Sequence, residues 1–415
     1  MNNVSVAFSG DSDRVQELRL CLACGSPRLE RYIDFGLQPL ANDYHDGSVE
    51  LARFPLATNV CLDCYHSQLS HAVDPDLLYR NYLYVSGTTT TLMKSFEEFV
   101  DRVEDQFPDR SLRVLDIASN DGSLLKVFRS RGHEVLGVDP AENLRELSAA
   151  NKIHTIVAYW NEETAASLDR EFDVIVAMNV LAHLPYPVQF LTACRQVLAP
   201  GGRIFIQTSQ CEMVERREFD TIYHEHHSFF TANSFRHLVA RAGLEFCYGA
   251  KLPIHGTSYL WCLGIDDAFD DGSTQTIWDY EKKHGYYDHA TYLKFGQAVH
   301  ETLSFLSETV RLYASRGYGV IGYGAAAKGN TVLNAANLAL DYVVDDNPLK
   351  VGLFLPGGHT EIVATERLAA AREPLCVVVL AWNFYDEIRQ RVAERRQRVD
   401  DVFVRYFPDP IICHE

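Results

Sequence analysis

The sequence predicts an α/β protein of three parts: an N-terminal metal-binding module followed by two domains built on parallel sheets. Three observations predict this fold class. Two CxxC pairs lie within the first 64 residues, apolar runs alternate with helical segments from residue 112, and a second alternation of this kind begins at residue 317. Continuous apolar strands separated by helices are typical of parallel sheets that are covered on both faces.

Four cysteines define the metal-binding module, which we expect over residues 1–72. Cys21, Cys24, Cys61 and Cys64 form the two CxxC pairs, and two such pairs supply the tetrahedral sulfur shell of a zinc ion. Two disulfides are the alternative interpretation of the same spacing. Four thiolates leave no open coordination position, so the predicted zinc is structural. A module of this size buries little apolar surface, so its folding should depend on the metal.

Composition narrows the function classes. The net charge of −18 and the sequence pI of 5.3 argue against a nucleic-acid-binding protein, because such a surface repels phosphates. No apolar run approaches the roughly 18 residues of a membrane span, and no signal peptide is recognisable at the start. The other cysteines are scattered and read as buried free thiols, which favours a cytoplasmic location. These six are Cys194, Cys211, Cys247, Cys262, Cys376 and Cys413.

The central domain is expected over residues 73–274 and begins with helical segments. Its predicted strands are LRVLDIA, HEVLGVD, FDVIVAMN and RIFIQT, with helices between them. The third part, residues 275–415, combines a helical linker with strands YGVIGYG, LDYVVDDN and PLCVVVLAW. Both alternations predict Rossmann-like domains, in which ligands bind at the carboxyl ends of the strands.

The first strand of the central domain leads into the loop Ala118–Gly122, and Asp139 ends the second strand. An acid at that position can accept hydrogen bonds from both hydroxyls of a ribose. The loop lacks the GxGxxG spacing that binds a pyrophosphate, so it suits a ligand without one. The carboxylate of Asp121, in the pair Asn120-Asp121, can face a cationic amine. This combination predicts an S-adenosylmethionine (SAM) site. An ordinary Rossmann-like turn is the alternative.

A polar cluster, Tyr223–His227 (YHEHH), follows the RIFIQT strand, and Asn179 and His183 follow the FDVIVAM strand. Parallel strands end at one edge of the sheet, so these residues should meet near the Asn120-Asp121 loop. Histidine can abstract a proton near neutral pH, and tyrosine or a second histidine can stabilise the oxyanion that forms. A second metal site and a set of structural histidines are the alternatives.

The C-terminal domain carries a glycine loop. Gly322–Ala327 fits GxGxxA between a strand and a helix, and Asp345 ends the next strand. This pattern is an NAD fingerprint. The same backbone N–H groups, with Lys328, would also serve the pyrophosphate of a sugar nucleotide. The third possibility is a degenerate repeat whose glycines only permit tight packing.

The motifs CxxC…CxxC, SGT, SNDG, NVLAH, FDTIYHEH, GYGAAAKGN and DDNPLK occur in this order between about residues 19 and 410. In this respect the chain resembles the SAM-dependent nucleotide-sugar C-methyltransferases of deoxysugar pathways, notably the C-3 enzymes. The resemblance implies a zinc-binding domain, a SAM domain and a C-terminal domain that holds the nucleotide-sugar. It also implies a monomer and a 4-keto-sugar substrate carried by a nucleoside diphosphate, usually dTDP.

The resemblance assigns roles to individual residues. It implies that His226 is the base, with Tyr223, Glu225 and His183 assisting. The residues implied around the methyl donor are Ser86, Gly87, Ser119, Asn120, Gly122 and Asp139, and their loop positions lead us to add Asp121 and Asn179. The residues implied around the sugar nucleotide are Tyr323, Gly324, Lys328 and Asn330.

The chemistry of a 4-keto-sugar fits such a set of residues. A ketone at C4 acidifies the protons at C3 and C5, and a base that removes one creates the enolate carbon that accepts a methyl group. We therefore predict C-methylation, at C3 by the resemblance. C5-methylation, an NAD-dependent oxidoreductase or epimerase of a sugar nucleotide, and a zinc-dependent scaffold protein are the alternatives.

Overall fold

The structure is a computed structural model that describes residues 14–47, 51–79, 90–209, 212–254, 257–265, 270–398 and 400–414. The predicted fold class is confirmed: a cysteine-bearing N-terminal module precedes two α/β domains, each with its own sheet. No helix among these residues is both long enough and apolar enough to cross a membrane.

The N-terminal module is made of β-strands. They are β1 (Val15–Glu17), β2 (Leu29–Pro39), β3 (Arg53–Cys61), β4 (Ser67–Leu69) and β5 (His71–Val73). Strands β2, β3 and β4 form an antiparallel sheet, and β1 pairs with β5 in a separate two-stranded sheet. Each CxxC pair forms a tight turn at one end of this sheet, which brings the two turns side by side. Two helices, α1 (Pro75–Tyr79) and α2 (Thr90–Glu104), connect the module to the central domain.

The central domain alternates strands with helices, as the apolar pattern predicts. Its elements are β6 (Arg113–Ile117), α3 (Ser123–Ser130), β7 (Glu134–Asp139), α4 (Arg145–Ala150), β8 (Thr155–Val157), α5 (Glu162–Ser167), β9 (Phe172–Met178), α6 (Pro187–Gln196), β10 (Leu198–Thr208), α7 (Met213–Arg216), β11 (Ser228–Phe229), α8 (Ala232–Arg241), β12 (Glu245–Leu252) and β13 (Ser258–Gly264). The sheet order is β12-β13-β10-β9-β6-β7-β8, with β12 and β13 antiparallel. The chain order reverses between β6 and β9, which is where doubly wound sheets bind ligands.

The linker is helical, as predicted, and the last domain follows it. The elements are α9 (Ser273–Lys283), α10 (His289–Ser315), β14 (Gly319–Tyr323), α11 (Ala327–Ala335), β15 (Tyr342–Val344), β16 (Ile362–Val363), α12 (Arg367–Ala370), β17 (Leu375–Val379), α13 (Tyr385–Arg396), β18 (Val402–Arg405) and β19 (Ile411–His414). Their sheet order is β16-β15-β14-β17-β18-β19, parallel except for the β18–β19 pair.

The three parts pack on one another. Helix α10 crosses strand β2 so closely that a Cβ on Gly296 would lie 2.0 Å from the backbone oxygen of Tyr32. Strand β11 belongs by sequence to the central domain, yet it pairs with β4 and extends the sheet of the N-terminal module. The residues just before β11 are the YHEHH cluster, so the metal-binding module fixes one end of that segment.

Candidate active site

The four predicted zinc ligands converge. Their sulfur atoms all lie within 4.8 Å of one another, with Cys21 Sγ 3.5 Å from Cys64 Sγ and Cys24 Sγ 3.6 Å from Cys61 Sγ. Disulfide sulfurs would be about 2.05 Å apart, whereas a tetrahedron with ~2.3 Å zinc–sulfur bonds has edges of about 3.8 Å. The arrangement therefore fits a zinc ion held by four thiolates. Three of these cysteines are buried, which suits a structural ion.

A cavity of about 940 Å³ opens at the carboxyl ends of the central strands. The loops after β6, β7, β9 and β10 line it, together with helix α2. Three residues of the C-terminal domain, Lys328, Trp382 and Asn383, complete its wall. A volume of this order accommodates a cofactor together with part of a substrate.

Asn120, Asp139 and Asn179, three of the predicted donor-site residues, line this cavity. The carboxylate of Asp139 is 5% exposed, and it accepts hydrogen bonds from the backbone N of Asn120 and of Ala141, each at 2.8 Å. Burial raises the pKa of Asp139. The Asp139 carboxylate therefore fixes the first loop and stands at the position predicted to bind a ribose.

Three other predicted donor-site residues support the loop from behind. Asp121 accepts from the Ser123 hydroxyl at 2.8 Å, and a Cβ on Gly137 would lie 2.4 Å from Ser119 Oγ. Gly122 adopts a left-handed φ of 73° where α3 begins, with Ile153 packed against its Cα. None of these side chains is part of the cavity wall. Asp121 in particular faces its own turn rather than the space expected for a cationic amine.

The loop after β8, residues 158–161, also lines the cavity, with Tyr159 and Trp160 among its residues and Phe190 near them in the wall. The sequence offers no acid here. An adenine ring at this end would be held by aromatic and backbone contacts.

His226 is the predicted base, and it lies in the cavity wall with 5% exposure. Its Nδ1 is 2.7 Å from the carbonyl oxygen of Thr221. A carbonyl only accepts, so Nδ1 carries the proton and Nε2 keeps its lone pair. Burial, and then the neighbouring His183, hold the pKa of His226 well below its ordinary value. The ring is therefore a neutral imidazole of fixed tautomer, as the predicted base requires.

Tyr223 and His183 surround this base. The ring centroids of Tyr223 and His183 lie 4.2 Å and 4.9 Å from that of His226, and both residues line the cavity. The hydroxyl of Tyr79 is 3.4 Å from His183 Nδ1. Tyr79, at the end of α1, also lines the cavity, and none of the sequence motifs includes it.

Glu225 faces away from the cavity. Its carboxylate accepts a hydrogen bond of 2.6 Å from Asn42 Nδ2 in the N-terminal module. Burial raises the pKa of Glu225 to about 7. Its side chain is not part of the cavity wall, so any contribution to proton transfer would pass through its neighbours.

The N-terminal module holds this whole segment in place. The backbone N of Leu69 donates to the His227 oxygen at 2.9 Å, directly before the β4–β11 pairing. His224 Nε2 lies 3.3 Å from the Phe54 carbonyl. His224 and His226 thus turn to different carbonyls. Among the described residues, the cysteine cluster is the one group of three or more metal-ligating side chains that converge, so the histidines do not gather as a second metal site.

Of the residues predicted to bind a sugar nucleotide, Lys328 lines the cavity and the others do not. The Tyr323 hydroxyl donates to Asp346 at 3.2 Å, and a Cβ on Gly324 would lie 2.7 Å from the Ala381 Cβ. Asn330 is fully buried and donates to the backbone oxygen of Ala41 at 2.8 Å. Tyr323 and Asn330 are thus bonded to other parts of the protein, and Gly324 has no room for a side chain. Ser86 and Gly87, two further predicted donor-site residues, lie outside the described residues.

Comparison with known proteins identifies the family. The chain is 30% identical over 392 residues to the C-methyltransferase NovU of Streptomyces niveus, covering 91% of this chain and 92% of that protein. The chain belongs to the C-methyltransferase family. Family models agree: residues 21–79 match a candidate zinc binding domain, 91–247 a methyltransferase domain, and 253–408 a C-methyltransferase C-terminal domain. The predicted family and the predicted cofactors, SAM and structural zinc, are thereby confirmed.

Two further similarities each cover less than half of this chain. A ubiquinone biosynthesis O-methyltransferase of Cereibacter sphaeroides is 29% identical over 188 residues, covering 41% of this chain and 75% of that protein. The structure of magnesium protoporphyrin IX methyltransferase from Synechocystis with bound SAM covers 42% of this chain and 79% of its own, at 13% identity and a TM-score of 0.33.

Proposed function

We propose that this C-methyltransferase acts on a nucleoside-diphosphate-linked 4-keto-deoxysugar, that the carrier is dTDP, and that the methyl group goes to C3. The observation that carries the proposal is the neutral His226, whose Nε2 is free in the wall of the cavity that Asn120 and Asp139 also line. A hydroxyl oxygen carries lone pairs that can attack a methyl donor, whereas a saturated carbon next to a ketone has none until its proton is removed. A carbon acceptor needs a base of this kind.

The residues around His226 suit removal of a proton next to a ketone. Nε2 takes the proton, and the Nδ1–H bond to the Thr221 carbonyl stabilises the imidazolium that forms. Tyr223 lies in the same wall, and we assign its hydroxyl to the oxyanion that develops at C4. The donor SAM supplies an electrophilic methyl group.

The broader setting is also proposed. No cysteine among the described residues forms a disulfide, which suits a reducing compartment, and we propose a cytoplasmic monomer. Light scattering of the purified protein tests the oligomeric state.

Deuterium exchange tests the proposed chemistry without the donor. A dTDP-linked 4-keto-6-deoxyhexose in D₂O should exchange its C3 hydrogen when wild-type protein is added, as seen by NMR. His226→Ala should slow this exchange by roughly 10²- to 10⁴-fold while SAM binding, measured by calorimetry, is retained. His237→Ala, a histidine of α8 outside the cavity wall, is the matched control.

Three results would contradict the proposal. They are undiminished exchange in His226→Ala, loss of SAM binding in that variant, and a product methylated on oxygen. Exchange and methylation at C5 would support the proposed mechanism but would show that C5, and not C3, accepts the methyl group.

A further inference from the structure

We propose that Arg216 and Lys328 form the binding site for the diphosphate of the substrate, inside the cavity that contains His226. This inference rests on the proposed function, because it assumes a nucleotide-linked acceptor. It places the diphosphate away from the C-terminal glycine loop, where the sequence pattern had suggested it.

The first observation is the charge of the cavity wall. Among the described residues that line it, Arg216 and Lys328 are the two cationic side chains. They come from different domains, Arg216 from the end of α7 and Lys328 from the first turn of α11. The chain as a whole carries a net charge of −18. Two acids, Asp139 and Glu218, line the same cavity. The Glu218 carboxylate interacts with the charges of both cations, so an anionic ligand could take the place of this internal counter-ion.

The second observation is that internal carboxylates hold both cations in the wall. Arg216 Nε is 2.9 Å from Glu212 Oε2, and Arg216 NH1 is 4.0 Å from Glu218 Oε1. Lys328 Nζ is 3.9 Å from Asp220 Oδ1, an oxygen with no hydrogen-bond partner. The other oxygen of Asp220 accepts from Trp382 Nε1 at 2.6 Å, so Asp220 orients two residues of the same wall.

Glu218 connects the two cations. Its carboxylate is 5% exposed, and the charges of Lys328 and Arg216 both favour its ionised form, although burial raises its pKa overall. Glu218 thus acts as the internal counter-ion when no ligand is bound. A diphosphate would compete with it for the same cations, and the arriving anion would be accommodated by protonation of Glu218 or by a turn of its side chain.

The third observation is that the glycine loop, the alternative site, is already in contact with other groups. The Ala325 carbonyl accepts hydrogen bonds of 2.7 Å from the Tyr44 hydroxyl and 2.5 Å from Lys350 Nζ. Its amide donates to Asp345 at 2.6 Å. A pyrophosphate at this loop would have to displace a strand-connecting segment of the N-terminal module.

The site would also couple substrate binding to the base. The positive charge of Lys328 is one of the causes that lower the pKa of His226, after burial and the neighbouring His183. An anion that neutralises Lys328 would relieve this contribution and make His226 a stronger base.

The guanidinium of Arg216 adds a planar fork of hydrogen-bond donors that suits phosphate oxygens.

Calorimetry tests the inference with dTDP and inorganic pyrophosphate as probes of this site, and S-adenosylhomocysteine as the probe of the donor site. Arg216→Gln and Lys328→Gln should each weaken dTDP and pyrophosphate binding about 10- to 100-fold, with S-adenosylhomocysteine affinity unchanged. Arg216→Lys should fall between wild type and Arg216→Gln. Lys251→Gln is the matched control, because Lys251 also pairs with Glu212 but does not line the cavity.

Glu218→Gln gives the opposite and more specific result: it should tighten dTDP and pyrophosphate binding several-fold, because the internal competitor is lost. If wild type binds dTDP and both glutamine variants bind it equally well, the site is wrong while the proposed function stands. If wild-type protein binds S-adenosylhomocysteine but neither dTDP nor pyrophosphate, both the proposed nucleotide-linked substrate and the proposed diphosphate site are wrong. Retained donor binding excludes misfolding as the cause of any loss.

Discussion

The two α/β domains have closely similar first loops. In the central domain, Asp139 at the end of the second strand accepts a hydrogen bond from the backbone N of Asn120 at 2.8 Å. In the C-terminal domain, Asp345 accepts from the backbone N of Ala325 at 2.6 Å. In both domains, the acid at the end of the second strand accepts a hydrogen bond from the backbone of its own domain's first loop.

What lies over each loop differs. The central loop faces the open cavity of about 940 Å³. The C-terminal loop is contacted by Tyr44 and Lys350, both bonded to the Ala325 carbonyl. A sequence pattern of glycines and a strand-end acid therefore predicts the conformation of a loop, but it does not predict whether a ligand binds there. The neighbouring element, here the segment between β2 and β3, determines whether a ligand can reach it.

Removal of zinc should have the largest effect, because the N-terminal module holds the His227 end of the YHEHH segment in the central domain and also contacts the C-terminal loop at Ala325. A structural zinc site contributes on the order of 10 kcal/mol, which is comparable to the stability of a whole domain. Cys64→Ser should lower the melting temperature and abolish methyl transfer, since β4 no longer holds β11 and His226. Calorimetric melting and turnover measure this. Cys413→Ser, a thiol outside the cluster, is the control, and full activity in a zinc-free protein would refute the prediction.

A paired substitution separates the two acids. Asp139→Ala and Asp345→Ala each remove a carboxylate that fixes a loop, so both should lower stability by about 1–3 kcal/mol. Asp139→Ala should also weaken S-adenosylhomocysteine binding roughly 10- to 100-fold, the cost of lost hydrogen bonds to a charged group. Asp345→Ala should leave that affinity unchanged. Equal losses of affinity in both variants would mean that the loops do not differ as described.

The pH profile reports on the central cavity alone. Burial holds the pKa of His226 well below 6.5, and a base works in its neutral form, which persists above its pKa. Turnover should therefore stay on its plateau as the pH falls through 6.5 and decline only at lower pH. The ratio kcat/KM reports the free enzyme and therefore measures this limb, and a half-loss of kcat/KM at pH 6.5 or above would contradict the assigned base.

Ala118→Gly should have the smallest effect. Ala118 has a left-handed φ of 56°, which costs an L-residue roughly 1–2 kcal/mol, partly offset by the greater freedom of glycine in the unfolded chain. The variant should be more stable by about 0.5–1 kcal/mol. Ala141→Gly, at an ordinary φ of −78°, should instead be destabilised. Chemical denaturation compares them, and equal destabilisation would exclude backbone strain at this loop.

The sequence predicted the fold and the metal ligands well because both depend on local patterns. CxxC spacing specifies a sulfur cluster, and continuous apolar runs such as Phe172–Met178 specify buried parallel strands. Strand-to-loop placement also predicted that the YHEHH segment reaches the sheet edge where Asn120 lies, and His226 lines that cavity, but its choice as the base came from the family resemblance. Its part in catalysis stays a prediction.

Side-chain direction was harder to predict. Asp121 looked suited to a cationic ligand, but its carboxylate bonds to Ser123 in the same turn. Glu225 lies next to the base in sequence, yet it turns to Asn42, 183 residues away. Contacts of that sequence separation follow from how the N-terminal module docks on the other two domains. Such contacts cannot be predicted from a local sequence pattern.

Calorimetric titration of the wild-type protein with S-adenosylhomocysteine and with NAD tests the central claim most directly, because the two ligands match the fingerprints of the two loops. The account predicts that S-adenosylhomocysteine binds one site and that Asp139→Ala weakens it, while NAD gives no heat. Binding of NAD that is lost in Asp345→Ala, with no response to S-adenosylhomocysteine, would contradict the account and make the C-terminal loop the cofactor site.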